Sequence, residues 1–233
     1  RVRVFELGRV FLRDASVKNT DTTVEGLSQP MRVSAVAYGP VTSTSWGGKV
    51  RHVDFFDVKG EIEALMSPAK PEFEAAEHPA LHPGRCASVK LNGHVVGYVG
   101  ELHPRWRQSW DLQHAPILFE LDLEAVLQRE VPVAQGVARF QAVERDIAVV
   151  VAEKVSHADL MSAIHEAPTS GLLRNAILFD VFRPQATQGV EKSLAVRLTL
   201  YSDEATLTDV QIDSTLKAVL DHLAQRLSAR LRS

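Results

Sequence analysis

The 233-residue sequence predicts an α+β chain: a mixed sheet with helices over residues 1–130, then a βαββαβ domain over residues 137–233. Three observations predict it. Val143–Val151 (VERDIAVVV) is a short β-branched run bounded by polar residues, the pattern of a central strand. The segments after it switch between the periods of strand and helix in a fixed order. Residues 1–130 combine several alternating stretches with one long amphipathic run, which suits a sheet faced by helices.

In the first domain, Arg1–Leu12 and Met31–Tyr38 alternate as strands do. Thr42–Lys49, rich in Ser, Thr and Gly, reads as a loop. Val53–Met66 reads as a helix with Phe55, Phe56, Val58, Ile62, Leu65 and Met66 on its apolar face and Pro68 beyond its end. Phe73–Ala76, Cys86–Leu91 and Val95–Leu102 read as strands, the last two joined by an Asn92-Gly93 hairpin turn. Pro104–Trp110 reads as a short helix, and Ile117–Leu121 as a strand running into a helix at Leu123–Leu127. Phe55, Phe56 and Trp106 are candidate large anchors, in the core or in an interface. Val131–Gly136, holding Pro132 and Gly136, reads as the linker.

In the second domain, Ser156 caps an amphipathic helix to about Ala167, with Leu160, Ala163 and Ile164 buried. Leu173–Arg183 and Lys192–Tyr201 are the second and third strands, joined by the loop Pro184–Glu191. Thr206 or Thr208 caps a long helix carrying Val210, Leu216, Val219, Leu220 and Leu223, and Leu227–Arg232 returns as a short edge strand. This order is the split βαβ of ferredoxin-like domains, which cover one sheet face with helices and leave the other open.

Alternation then assigns side chains to the open face. It receives Asp146, Ala148 and Val150 from the first strand, Leu178, Asp180 and Phe182 from the second, and Ser193, Ala195, Arg197 and Thr199 from the third. Ile177, Phe179 and Val181 are expected under the helices, and Arg145 is expected to cap helix or linker carbonyls. Open sheets of this topology often bind single-stranded RNA by stacking bases on exposed aromatics, and otherwise are solvated or meet another domain.

Composition bounds the function. The chain is 45% hydrophobic and 24% charged, without an eighteen-residue apolar run or a signal-peptide pattern, so no membrane is expected and the cytoplasm is. The single cysteine, Cys86, fits a reducing compartment. Opening inside a strand without an initiator Met, the chain reads as a fragment of a longer polypeptide. Net charge is −3, and Arg139–Ser233 carries 11 Lys and Arg against 12 Asp and Glu, so bulk charge leaves no basic footprint. Features that mimic catalytic parts have structural readings. His78 and His82 each precede a proline and read as a proline-packed loop, not a metal site. Glu61 and Glu63 read as a solvated face, and Gly93, Gly97 and Gly100 as hairpin geometry and close packing.

Four stretches, ERDIAVVV, LFDVFRP, EKSLAVRLTLYS and TLTDVQI, resemble in order the signatures of the anticodon-binding domain that ends the β subunit of bacterial phenylalanyl-tRNA synthetase. FELGRVF, FFDVKGEIEALM and HPGRCASVKLNGHVVGYVGELHP are similar to the catalytic-like module of that subunit, which resembles a class II synthetase core. The chain has no FRxE and no GxGxxxER, the motifs whose arginines hold ATP in working class II cores, so this part is expected to be a non-catalytic scaffold. The resemblance implies a partner, the catalytic α subunit in an α2β2 assembly, and a substrate, tRNA(Phe). ATP and Mg2+ belong to the whole ligase; no cofactor or metal is expected in this fragment. The family's anticodon contacts fall on Ala148, Asp180, Phe182 and Ser193, and on Val143. Phe182, where the family usually has Tyr, is then the stacking platform. Asp180 accepts from a base, Ser193 donates or accepts, and Ala148 lets a base come close. The alternative is a protein-docking or small-molecule regulatory module with no RNA contact. Exposure of Phe182 separates the two.

Overall fold

A computed structural model describes residues 1–43, 45–48, 50–128, 131, 140–185 and 189–232. The expected linker Val131–Gly136 lies outside the described residues, apart from Val131. The chain forms two compact units, Arg1–Val133 and Ala134–Ser233. Among the described residues, no helix is long and apolar enough to cross a membrane.

The first unit is built on β1 (Val2–Arg9), β4 (Met31–Tyr38), β5 (Glu72–Ala75), β6 (Leu81–Leu91), β7 (His94–Leu102) and β8 (Ile117–Asp122). They form one antiparallel sheet in the order β1-β4-β8-β7-β6-β5. The expected first strand stops at Arg9, and β2 (Leu12–Arg13) pairs separately with β3 (Leu27–Ser28). Asn92 and Gly93 both take positive φ, 51° and 79°, as a tight hairpin turn between β6 and β7 requires. Helix α1 (Phe55–Met66) starts at a reciprocal cap between Asp54 and Asp57. It buries Val58, Ile62 and Met66, four residues apart, against Val89, Val99 and Leu121 of the sheet. Phe56 lies two residues from Val58, about 200° round the helix. It is 74% exposed and Leu65 is exposed too, so neither belongs to the buried stripe. Phe55 packs partly on the core. Helices α2 (Pro104–Ser109) and α3 (Leu123–Leu127) are short. Trp106 is half-buried and stacks on Trp110, outside the main cluster.

The expected loop at HPALHPGR is partly strand. β6 begins at Leu81, and its pairing with β7 slips between Leu81 and Cys86. Pro83, which cannot donate to a ladder, and Gly84, at φ 92°, occupy the slip. His78 accepts from the Ala80 amide at 3.3 Å and packs on Tyr98. Among the described residues, no three His, Cys, Asp or Glu side chains are grouped as a metal would need.

The second unit contains β9 (Val143–Ala152), α4 (His157–His165), β10 (Leu173–Phe182), β11 (Glu191–Leu200), α5 (Asp209–Leu227) and β12 (Arg230–Leu231). Its antiparallel sheet has the order β10-β11-β9-β12, with α4 and α5 on one face. Ser156 with Asp159, and Thr208 with Gln211, form the reciprocal caps that begin the helices. The core joins Ile147, Val149, Val151, Leu194, Val196, Leu198 and Leu200 of the sheet to Leu160, Ile164, Ile212, Val219 and Leu223 of the helices. Val210, in the first turn of α5, is exposed.

One irregularity changes the reading of β10. Its register on β11 shifts between Leu178, opposite Val196, and Asp180, opposite Ala195, so Phe179 is an extra residue with no partner. Before the bulge, Leu178 packs on the core while Ile177 is exposed, the reverse of the sequence expectation. Phe179 is also exposed, not under the helices. Beyond the bulge, Asp180 and Phe182 pair with Ala195 and Ser193. Those partners alternate with the core residues Leu194 and Val196, so they belong to the open face.

Candidate nucleic-acid interface

The helix-free face of the second unit is laid out in cross-strand rows. Phe182, Ser193, Val150 and Arg230 stand side by side on β10, β11, β9 and β12. Asp180, Ala195 and Ala148 form the next row, and the Arg232 amide donates to the Ala148 carbonyl at 2.8 Å. Ile177, Arg197 and Asp146 form the third. The centre is a floor of small side chains, Ala148, Ala195 and Ser193. Phe182 stands at its edge, 45% exposed, with the Arg232 guanidinium 4.8 Å from the ring centroid.

Charges frame this floor and are mostly paired. Arg197 grips Asp146 with two hydrogen bonds, Nε to Oδ1 at 2.8 Å and Nη2 to Oδ2 at 2.9 Å. This fork holds the Asp146 carboxyl below the ordinary carboxylate range and raises the Arg197 pKa. Arg183 binds Glu153 at 2.9 Å, and Arg230 binds Glu191 at 2.5 Å. Arg232 has no carboxylate partner among the described residues; its side chain lies over Phe182 instead. The Asp180 carboxylate and the Ser193 hydroxyl also lack hydrogen-bond partners among the described residues.

Ala148, Asp180, Phe182 and Ser193 therefore meet on one face, although Ser193 is only 4% exposed beneath its neighbours. Val143 does not join them. It pairs with Leu200 and packs on the core, on the helix side. Among the described residues Arg145 caps no helix: it is exposed, and its Nη1 donates to the neighbouring Glu144 carbonyl at 2.9 Å, while nearly all the linker carbonyls lie outside the described residues. Sequence reasoning missed Phe179 as a member of this surface; in the sequence Arg232 stands out only as part of a basic cluster with Arg226 and Arg230, read as a solvated helix end or a phosphate contact. A count across strands gives the missing signal. Five steps separate Ile177 from Phe182 on β10, but four separate their partners Arg197 and Ser193 on β11. Both pairs face outward only if β10 holds one extra residue.

A family model described as the phenylalanyl tRNA synthetase beta chain CLM domain matches residues 1–123, more than half of the chain. This chain belongs to the phenylalanyl-tRNA synthetase β-chain family. A second model, described as the ferredoxin-fold anticodon binding domain, matches residues 138–232, the unit that carries the open face. Phenylalanine–tRNA ligase beta subunits of Burkholderia pseudomallei (strain 1710b), Ralstonia nicotianae and Dechloromonas aromatica are similar to it, at 47%, 46% and 40% identity. Each match covers all of this chain and 30%, 30% and 29% of the relative, so the chain spans less than a third of those β subunits.

Proposed function

We propose that this β-chain family member recognises the anticodon of tRNA(Phe) with residues 137–233 and serves through residues 1–130 as a scaffold for the catalytic α subunit. The assembly is an α2β2 phenylalanine–tRNA ligase in the cytoplasm. Using ATP and Mg2+, the whole ligase activates phenylalanine and esterifies it to its tRNA. The first unit's residues do not fit a phosphate-binding role of their own. Of its loosely phosphate-loop-like glycines, Gly93 sits in the hairpin turn and the other two face backbone: a Cβ at Gly97 would lie 2.0 Å from the Glu120 carbonyl oxygen, and one at Gly100 2.6 Å from that of Arg85.

The observation that carries the anticodon reading is the half-exposed Phe182 ring, rowed with Ser193 and next to Asp180 and Ala148. In this reading the ring stacks an unpaired base. The unpartnered Asp180 carboxylate accepts from that base's amine or imine edge, and Ser193 adds a donor or acceptor. Ala148 has no side chain beyond Cβ to hold the base off the sheet. Tyrosine, usual in the family at this place, offers the same π-face plus a hydroxyl. Val143 supports the core behind the face and makes no contact. The family model over residues 138–232, described as an anticodon binding domain, favours this reading over a docking module without RNA contact.

Phe182→Ala in the assembled ligase tests this. A base–aromatic stack is worth about 1–3 kcal/mol, so tRNA(Phe) charging should weaken about 5- to 150-fold. Phe182→Tyr should charge nearly normally. Phenylalanine-dependent ATP–pyrophosphate exchange, which involves no anticodon, should not follow the loss. The melting temperature should hold, because the ring is not core. Full charging by the Ala variant, or a collapse of its melting temperature, removes Phe182 from recognition.

A further inference from the structure

We propose that Phe179, beside Arg197, is a second stacking platform that takes the nucleotide next to the one on Phe182. The proposal rests on the anticodon reading above and extends it from one base to two.

The bulge is the starting point. In a regular strand, Phe179 would share a face with Ile177 and Val181 and oppose Asp180. As the extra residue between the Leu178 and Asp180 pairings, it is released from that alternation. Its ring is 53% exposed and has no place in the core cluster. The side on which it lies is fixed by Arg197, whose guanidinium carbon is 5.5 Å from the ring centroid. Arg197 is cross-strand neighbour to Ile177 and Asp146 and belongs to the open face. Phe179, Asp180 and Phe182 thus share one surface.

Arg197 is more than a neighbour. Its two hydrogen bonds to Asp146, with Glu144 Oε2 3.7 Å from Nη1, fix the guanidinium in place. A fixed guanidinium beside one ring face is a cation–π contact that orients the aromatic. The other ring face remains for a ligand. A guanidinium also lies over Phe182, that of Arg232, though without a carboxylate to fix it among the described residues. The open face therefore carries two exposed rings, each attended by an arginine, with an unpartnered carboxylate between them in the chain.

The spacing suits adjacent nucleotides. Three residues of strand span about 10 Å, less whatever the bulge takes up. Four-stranded sheets that bind single-stranded RNA stack two or three successive bases on their aromatics. Asp180 stands between the platforms and can accept from the edge of either base. A protein partner settling on Ile177 and Phe179 would account for the exposed rings, but it would not call for the forked arginine or the small-residue floor.

The test uses the assembled ligase and an anticodon stem-loop RNA carrying the tRNA(Phe) anticodon, with the fluorescent base 2-aminopurine placed at each loop position in turn. Binding should quench two adjacent positions by stacking. Phe179→Ala should release one of them and weaken binding about 5- to 150-fold, the loss of one base–aromatic stack. Phe182→Ala should release the other. Phe179→Leu should behave as Ala, and Phe179→Tyr as the parent, because only an aromatic face stacks. Unchanged melting temperatures accompany these losses if the ring is a platform. Full affinity and two quenched positions in the Phe179→Ala variant overturn the second platform and leave Phe182 standing. Rescue by Leu also overturns it, since burial and not stacking is then at work. A Phe179→Ala variant that binds RNA normally but loses the α subunit assigns the ring to protein docking. No loss in either Ala variant rejects the anticodon reading itself.

Discussion

Asp57 does two jobs with one carboxylate. Oδ2 accepts from the Asp54 amide at 2.9 Å, closing the cap of α1, and from Arg51 Nη1 at 2.7 Å. Oδ1 accepts from Arg51 Nη2 at 2.6 Å. The Arg51 hydrogen bonds lead in holding its pKa down, to about 2. A carboxyl depressed in the folded state, against about 3.9 unfolded, lends stability above the unfolded value. That stability fades as pH falls through the folded value. Asp57→Asn should therefore melt below the parent at pH 7. The gap should narrow between about pH 4 and pH 2, where the parent carboxyl takes up its proton. Melting curves across that range check it, and a gap that stays constant would show that the charge is not what matters. Asp180 is exposed and without a partner among the described residues, so its carboxylate is free for a ligand.

Sheet geometry sets the tolerance of each strand. Gly97 on β7 lies so close to β8 that a Cβ would meet the Glu120 carbonyl oxygen at 2.0 Å and the Leu121 Cα at 2.8 Å. Both are backbone atoms, so no side-chain rotation relieves the clash. Gly97→Ala should cost at least the 1–3 kcal/mol, roughly, of a core overpacking change. Chemical denaturation followed by Trp106 and Trp110 fluorescence should show it as a lower midpoint. The elements themselves were legible where one signal dominated. Ser156 and Thr208 are caps with their N3 partners in the sequence, and the periods of β9, α4 and β11 are clean. The βαββαβ order follows from those alone. Elements set by tertiary pairing were not legible. Pro83 and Gly84 read as loop, yet β6 carries them through a slip in its ladder with β7. The run Ile177–Phe182 alternates plausibly in either phase, and only its match to β11 shows that a residue is extra. The candidate site was legible to the same degree. Of its five expected members, Ala148, Asp180, Phe182 and Ser193 lie on the open face and Val143 on the helix side, while Phe179, inside the bulge, was missed.

At the scale of the whole molecule, the proposed scaffold role leaves catalysis to another chain. The first unit keeps the sheet-and-helix frame but has neither arginine-bearing ATP motif in its sequence. This chain assayed by itself should give no phenylalanine-dependent ATP–pyrophosphate exchange, because its sequence lacks both motifs whose arginines neutralise the charge that develops on the α-phosphate. Exchange above background in a purified preparation would refute the scaffold role. The bulge in β10 has one more consequence, for the company the molecule keeps. β10 is the outermost strand of its sheet and exposes Ile177, Phe179 and Phe182. A long, flat, apolar edge of that kind is a template on which a second chain can grow a ladder, the first step toward fibrils. The extra residue bends the edge in mid-strand and breaks its run of evenly spaced donors and acceptors. An incoming straight strand could match one half of that edge but not both, so the rings stay open to a ligand without making the protein adhesive to itself.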